Sequence, residues 1–198
     1  SDEFLGRETG TEGERLAAEY IIKEFKELGV KSFKSMGGYK QPFPFSPNPH
    51  FNPDHGHPTG DDNTGHNLIG YLDNGSNQYI LIGAHYDHLG MGGPFSLDPE
   101  VVEVHNGADD NASGVASLFS IARHLKTKDL NSNIIIVAFS GEEFGLWGSK
   151  YLIDHLPIEK EQIRFMINLD MVGRLSEEKE LVVNGTGTSS IWDDVLDS

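Results

Sequence analysis

Cysteine is absent from the sequence, and this absence excludes several kinds of chemistry at once. A chain without thiols forms no disulfide bond, no thiolate zinc site and no iron–sulfur cluster, and it has no cysteine nucleophile. Any metal ion must therefore be bound by histidine and carboxylate side chains.

Basic residues are scarce relative to acidic ones. Lys and Arg number 15 against 31 Asp and Glu, which gives a formal net charge of −16 at pH 7. A surface of that sign repels phosphate backbones and anionic lipids, so the composition disfavours nucleic-acid partners and membrane surfaces. No apolar run approaches the roughly 20 residues that span a bilayer, and we expect no membrane insertion.

The length and composition favour a single globular domain. The chain has 198 residues, 37% of them hydrophobic, which suits one domain over residues 1–198 with its own core. It begins at Ser1-Asp2-Glu3 without an initiator methionine or a signal peptide, so we expect a processed or trimmed chain.

The N-terminal part of the sequence predicts a helix followed by a long excursion. Thr11 and Glu14 have the spacing of a capping box, and the apolar periodicity after them predicts a helix over residues 12–28. Residues 41–66 are rich in proline and histidine, which forbids a helix and predicts a surface excursion within the domain.

The rest of the chain alternates between strand and helix patterns. Asp73-Asn74-Gly75 separates two strand-like runs and predicts an antiparallel hairpin between them. A βαβαβ pattern of strands and amphipathic helices then follows, which implies parallel strands covered by helices. We therefore predict an α/β fold, a three-layer α/β/α sandwich with a mixed, mostly parallel sheet. The elements of this pattern are strands at 67–72, 79–84, 133–139 and 163–169, and helices at 113–126 and 145–156.

Histidine and acidic residues cluster at the predicted ends of strands and at one helix start. The four clusters are His85-Tyr86-Asp87, Asp109-Asp110, Glu142-Glu143 and Asp170. Because the carboxyl ends of strands in an open α/β sheet meet at one edge, where ligands bind, we expect these clusters to converge. Each cluster alone has an ordinary explanation as a surface pair, a helix cap or a turn acid. Their joint placement favours a functional site.

The residue types in these clusters restrict the chemistry. Histidine with several carboxylates and no thiolate suits zinc or another borderline divalent ion, and a shared carboxylate can bridge two ions roughly 3.5–4 Å apart. In a tandem acid pair, one carboxylate can bind metal while its neighbour accepts a proton from water. These properties indicate a hydrolase. No Gly-x-Ser-x-Gly elbow is present, which disfavours a serine hydrolase.

The order of the segments also resembles a known protein family. A His-x-Asp strand end is followed by Gly107-Ala108-Asp109-Asp110-Asn111-Ala112-Ser113-Gly114, by a Glu-Glu pair and by a Leu-Asp-Met segment. These segments are similar to those of the co-catalytic zinc aminopeptidases of metallopeptidase family twenty-eight, and the resemblance runs from Gly6 to about Val183. It implies a zinc exopeptidase-like fold and a leucyl aminopeptidase-like enzyme, whose substrates are peptides with a free N-terminus.

The resemblance implies two zinc ions and assigns four ligands to them. His85 and Asp170 would bind one ion, Glu143 would bind the other, and Asp110 would bridge both. A cis peptide bond between Asp110 and Asn111 is implied as well.

The resemblance also implies two catalytic residues that bind no metal. Asp87 would accept the second ring N–H of His85 and thereby orient that ring. Glu142 would be the general base that takes a proton from metal-activated water and returns it to the leaving amine.

One ligand of the family pattern is missing. The family has a further histidine well downstream of the Leu-Asp-Met segment, but no residue after Asp170 is histidine, and the last in the chain is His155. We therefore expect that the chain is truncated, that the missing ligand lies beyond Ser198, and that the ion near Glu143 is weakly bound or absent in this chain.

The remaining histidines are assigned no function. Those of the excursion are expected to be solvated: His50, His55, His57 and His66. The others are expected to be surface or packing residues: His88, His105, His124 and His155.

Other functions stay open at this point. A glutaminyl cyclase or a carboxypeptidase can use the same scaffold, although the tandem acids resemble the two-zinc aminopeptidases more than the single-zinc cyclases. A non-catalytic relative that only binds peptide or protein is a further alternative. The resemblance implies a secreted or periplasmic protein.

Overall fold

The computed structural model describes residues 1–46, 63–177 and 179–197. Within these ranges the chain forms four α-helices and five strands. The helices are α1 (Glu12–Leu28), α2 (Gly114–Leu125), α3 (Trp147–Asp154) and α4 (Ile191–Leu196). The strands are β1 (Lys40–Phe45), β2 (Asn63–Leu72), β3 (Tyr79–His85), β4 (Asn133–Phe139) and β5 (Ile163–Asn168). None of the helices in this part of the chain has the length and apolar character needed to cross a membrane.

Helix α1 has the predicted bounds and is capped at both ends. Thr11 Oγ1 accepts a hydrogen bond from the N–H of Gly13 at 3.2 Å, and Gly29 ends the helix with a left-handed φ of +75°. The predicted capping box does not form, because Glu14 Oε2 accepts a hydrogen bond from the N–H of Gly10 instead, at 2.9 Å. The Glu14 side chain is therefore buried in the protein rather than folded back onto the cap.

The five strands form one sheet in the order β1-β2-β4-β3-β5. Strand β2 is antiparallel to both β1 and β4, whereas β3 is parallel to both β4 and β5. The mixed sheet is confirmed, although its strand pairs are divided evenly between the two kinds rather than being mostly parallel. The three parallel neighbours place their carboxyl ends at one edge of the sheet.

The predicted hairpin between β2 and β3 is wrong, because β4 lies between them. Leu68 of β2 pairs with Ala138 of β4. The connecting loop is bound to the start of β4: the N–H of Asn74 donates to Asn133 Oδ1 at 2.7 Å, and Asn133 Nδ2 donates to the Ser76 carbonyl at 2.7 Å. The turn residues thus indicated a change of chain direction but not the partner of the strand.

The predicted excursion over residues 41–66 begins and ends inside the sheet. Its first residues belong to β1 and its last to β2, in antiparallel register that sets Pro42 opposite His66. Prolines are tolerated in β1 because it is an edge strand, where the N–H on one side has no partner strand. Three histidines of the excursion lie outside the described residues: His50, His55 and His57.

Helices cover both faces of the sheet. On one face α1 and α2 pack through a cluster that includes Phe25, Leu118 and Ile136. On the other face α3 packs through a cluster that includes Leu152 and Ile135. Every residue of β4 is buried, as expected of a central strand with both faces covered. The predicted three-layer α/β/α sandwich is confirmed.

Candidate metal centre

Acidic and histidine side chains converge at the carboxyl edge of the parallel strands. His85 is the last residue of β3, Glu142 and Glu143 follow β4, and Asp170 follows β5. Asp110 reaches the same place from the turn that precedes α2. Three groups of side chains have possible ligand atoms within 4.8 Å of one another: His85–Asp110–Asp170, His85–Glu142–Glu143 and His88–Asp110–Glu143. The predicted convergence is confirmed.

His85 lies at the centre of this cluster and is buried. Its Nε2 is 3.2 Å from Asp110 Oδ1 and 3.5 Å from Asp170 Oδ1. Burial lowers the pKa of His85, but the nearby Asp87 carboxylate and the charges of the other surrounding carboxylates raise the pKa to about 9. The environment of the ring therefore favours a positive charge at this point.

Asp87 is fully buried behind His85. Its Oδ1 lies 3.5 Å from His85 Nδ1, and this oxygen has no hydrogen-bond partner among the described residues. An imidazole that binds metal through one nitrogen commonly donates its other N–H to such a carboxylate. Asp87 Oδ2 accepts hydrogen bonds from Thr9 Oγ1, at 3.1 Å, and from the N–H of Glu143, at 3.3 Å. Asp87 thus connects the His85 ring to the segment that carries Glu143.

Asp110 is held by its neighbour Asn111. The peptide bond between them is cis, as the resemblance implied. Asn111 is fully buried; its Nδ2 donates to the Leu169 carbonyl at 2.9 Å and its Oδ1 accepts from the N–H of Gly114 at 3.0 Å. These bonds fix the turn relative to the start of α2 and the end of β5, and hence Asp110 relative to Asp170.

Glu142 is half-buried beside His85, with 3.9 Å between Glu142 Oε2 and His85 Nε2. Burial raises the pKa of Glu142 to about 7 against the attraction of His85, and repulsion from the neighbouring carboxylates contributes to the rise. A carboxyl group with a pKa near neutrality can both accept a proton and release it again.

His88 belongs to the site, contrary to the expectation that it is a surface or packing residue. Its Nδ1 lies 2.6 Å from Glu143 Oε1, and its side chain is only 10% exposed. The sequence feature that could have indicated a role in the site is the position of His88 directly after the His-x-Asp segment. The contact itself depends on how the loop after β3 folds, which no local pattern in the sequence reveals.

Arg7 was also missed, although it touches the loops that carry the site. Its Nε donates to the Tyr86 carbonyl at 2.7 Å. Its two terminal nitrogens donate to the carbonyls of Asn106, at 2.7 Å, and of Gly107, at 3.1 Å. Burial lowers the pKa of Arg7, while the charges of nearby site carboxylates oppose that decrease. A buried guanidinium thus joins the segment after β3 to the segment before Asp110.

The arrangement fits zinc. His85, Asp110 and Asp170 could provide the three protein ligands that a catalytic zinc ion normally has, and Asp110 and Glu143 could share a second ion. The unpartnered Oδ1 of Asp87 and the preference for positive charge at His85 are both explained if His85 donates from Nδ1 and binds an ion through Nε2.

Comparisons with known proteins find similarity to an aminopeptidase, a Zn-dependent exopeptidase and a glutaminyl cyclase. Aminopeptidase YwaD of Bacillus subtilis is 39% identical over 119 residues, which cover 58% of this chain and 23% of that protein. The crystal structure of a Zn-dependent exopeptidase from Parabacteroides distasonis matches with a TM-score of 0.68 and 25% identity, over 86% of this chain and 57% of that one. Porphyromonas gingivalis glutaminyl cyclase matches with the same TM-score of 0.68, 25% identity and coverage of 86% and 57%.

This chain therefore spans about a quarter of the B. subtilis protein and somewhat more than half of each solved structure. The model of a family described as Peptidase family M28 matches residues 67–197, a range that includes the four predicted ligands and Glu142 but not Arg7 or Thr9. Since the match covers more than half of the sequence and the fold agrees with that of the related exopeptidase, the chain belongs to peptidase family M28.

Proposed function

We propose that this chain forms the catalytic centre of a zinc-dependent aminopeptidase, which hydrolyses N-terminal residues from peptides. The observation that carries the proposal is the convergence of His85, Asp110 and Asp170, with Glu142 beside them. The aminopeptidase and the zinc-dependent exopeptidase among the similar proteins support this chemistry.

Two ion positions are proposed. The first ion position is formed by His85, Asp110 and Asp170, and the second by Asp110 and Glu143, with Asp110 as the shared ligand. Zinc bound there supplies a Lewis acid that polarises the scissile carbonyl and lowers the pKa of water. We propose that a further ligand of the second ion lies beyond Ser198.

Two residues that do not bind metal are proposed to take part in catalysis: Glu142 transfers a proton, and Asp87 orients the His85 ring. Glu142 is proposed as the general base: it takes a proton from the attacking water and returns it to the leaving amine. In the absence of metal, burial raises the pKa of Glu142 to about 7, which is consistent with a carboxyl group that can both accept and release a proton. Asp87 accepts the Nδ1–H of His85 and keeps the ring in one orientation, so that Nε2 faces Asp110 and Asp170.

A glutaminyl cyclase is the second candidate, because a solved glutaminyl cyclase matches the fold as well as the exopeptidase does. Cyclisation joins the α-amine of an N-terminal glutamine to its side-chain carbonyl and releases ammonia, without consuming water. Two pairs of adjacent acids, Asp109-Asp110 and Glu142-Glu143, favour the two-ion hydrolase.

The test uses the full-length protein, stripped of metal with a chelator and then reloaded with zinc. Leucine amide, a peptide with N-terminal glutamine and the same peptide with a blocked N-terminus are the substrates. We expect two zinc ions per chain, release of free N-terminal residues only when zinc is present, and no cleavage of the blocked peptide. A cyclised product with one zinc ion would favour the cyclase, and release of C-terminal residues would favour a carboxypeptidase. Peptide binding without turnover would favour the non-catalytic alternative.

We also propose that the protein acts outside the cytoplasm, as a secreted or periplasmic protein. Only the resemblance of its sequence to the family of zinc aminopeptidases supports this location. Fractionation of the source cells, followed by immunodetection, is the direct test.

A further inference from the structure

We propose that His88 is a positioning residue for the second ion position: its Nδ1–H donates to Glu143 Oε1 and holds that carboxylate so that Oε2 faces the ion shared with Asp110. This inference rests on the proposed two-ion function and adds a residue that the family pattern of ligands does not include. It concerns the orientation of Glu143, not the supply of another ligand.

The position of the His88 ring is fixed by its surroundings. The main-chain N–H of His88 donates to the Arg7 carbonyl at 3.2 Å. A Cβ atom at Gly107 would lie 2.6 Å from both Cγ and Cδ2 of the ring, so the imidazole packs directly on the Gly107 backbone. The same glycine has a left-handed φ of +51°. The ring is therefore seated against the segment that leads to Asp110.

The distance between His88 and Glu143 indicates a hydrogen bond rather than shared coordination. His88 Nδ1 and Glu143 Oε1 are 2.6 Å apart. Two zinc bonds of about 2.0–2.2 Å at a tetrahedral angle would separate these atoms by about 3.4 Å. A separation this short is that of a strong N–H···O bond to a carboxylate.

Glu143 is consequently held at two points. Its main-chain N–H donates to Asp87 Oδ2 at 3.3 Å, and its side chain is bound by His88. Asp87 thus orients a histidine at the first ion position, and His88 orients a carboxylate at the second. Removal of a hydrogen-bond partner of a metal ligand typically weakens metal affinity about 10–100-fold.

The test is a zinc titration of the metal-free, full-length protein against a chromophoric chelator, with three variants. In His88→Ala the donor is lost. In His88→Asn the amide nitrogen stands the same number of bonds from Cα as Nδ1 and still donates, but it is not a normal zinc ligand. His124→Ala removes an exposed histidine from α2 and is the matched control. Thermal unfolding of the metal-free variants shows whether each one is folded.

We expect His88→Ala to weaken the second zinc about 10–100-fold and to leave the first within about threefold, while His88→Asn restores most of the affinity. Equal loss in His88→Asn and His88→Ala would make His88 a ligand and overturn the positioning role. Unchanged affinity in a folded His88→Ala variant, or equal loss of both ions, would overturn it as well. A wild-type protein that binds no second zinc would instead refute the two-ion function, and this inference with it.

Discussion

The two proposed ion positions differ in how many candidate ligands the described residues offer to each. At the first, His85 is buried and its Nε2 lies within 3.5 Å of carboxylates from two other segments, those of Asp110 and Asp170. At the second, Asp110 and Glu143 are accompanied by His88, whose near nitrogen is already hydrogen-bonded to Glu143. This difference predicts that the first position binds zinc more strongly. The shared Asp110 makes the two positions depend on each other.

Glu142 gives the sharpest way to separate metal binding from catalysis at these positions. We expect Glu142→Gln to retain the zinc content of the wild type and to lower kcat about 10²–10⁴-fold, because a base acts on the proton and not on the ion. Zinc analysis and steady-state kinetics on the full-length protein provide the measurement.

The competing arrangement is the group His85–Glu142–Glu143, in which Glu142 is a ligand. If Glu142→Gln loses zinc in proportion to its activity, the roles of Glu142 and Glu143 must be reassigned.

Substitution of the proposed ligands should change zinc affinity differently at the two positions. Asp170→Asn should weaken the first ion only, whereas Asp110→Asn should weaken both, because only Asp110 is shared. Each loss should exceed the about 10–100-fold effect of removing an outer hydrogen-bond partner. Zinc titration gives both affinities, and Asp109→Asn serves as the control for a neighbouring acid. Equal effects of Asp170→Asn and Asp110→Asn would contradict a bridging Asp110.

Substitution of Arg7 should affect zinc binding at both positions alike, since Arg7 donates hydrogen bonds to the carbonyls of Tyr86, Asn106 and Gly107. We expect Arg7→Met to lower the free energy of unfolding of the metal-free protein by about 3 kcal/mol, because the buried carbonyl of Tyr86 and the partly buried carbonyls of Asn106 and Gly107 lose a charged donor. Urea denaturation measures this change. Arg15→Met is the control, because the ion pairs of Arg15 with Glu12 and Glu19 are exposed on α1 and their loss should have little effect. Loss of only one zinc ion in a folded Arg7→Met variant would contradict the expectation that Arg7 stabilises both ion positions.

Substitution of Thr9 is expected to have the smallest effect on zinc affinity. Its hydroxyl donates to Asp87 Oδ2, and Asp87 in turn lies behind His85. We expect Thr9→Val to weaken the first zinc by about 10-fold, the lower limit for an outer partner, with less effect on the second. Thr127→Val, at the exposed end of α2, is the control. A larger effect on the second ion would show that Thr9 acts through the Glu143 segment instead.

The sequence predicted the parts of the fold that local patterns determine. Helix α1 was found because Thr11, the apolar periodicity and Gly29 all lie close together in the chain. Strand β4 was found because an unbroken apolar run over residues 134–139 is typical of a strand with both faces covered. The pairing of β2 was not found, because it depends on contacts between residues far apart in the chain, such as those of Asn133 with the loop at residues 74–76, 57–59 positions earlier.

The same distinction applies to the site. His85, Glu142 and Asp170 were predicted to meet because the ends of parallel strands must lie at one edge. Arg7 and His88 could not be placed, since their contacts arise where loops fold over one another. The resemblance covered Arg7 but implied no role for it, because the ligand and catalytic motifs of the family all lie after residue 84.

The insertion of β4 between β2 and β3 has a consequence for the order in which the chain can fold. During synthesis β2 and β3 emerge well before β4, and neither can complete its hydrogen bonds until residues 133–139 arrive. Until then both strands present open edges, which are the surfaces on which nascent chains associate wrongly. In the folded protein the Asn133 side chain binds the 74–76 loop and so joins the late strand to the connection between the two early ones. The candidate metal centre takes residues from the ends of β3, β4 and β5, so it can assemble only after the central strand has been inserted.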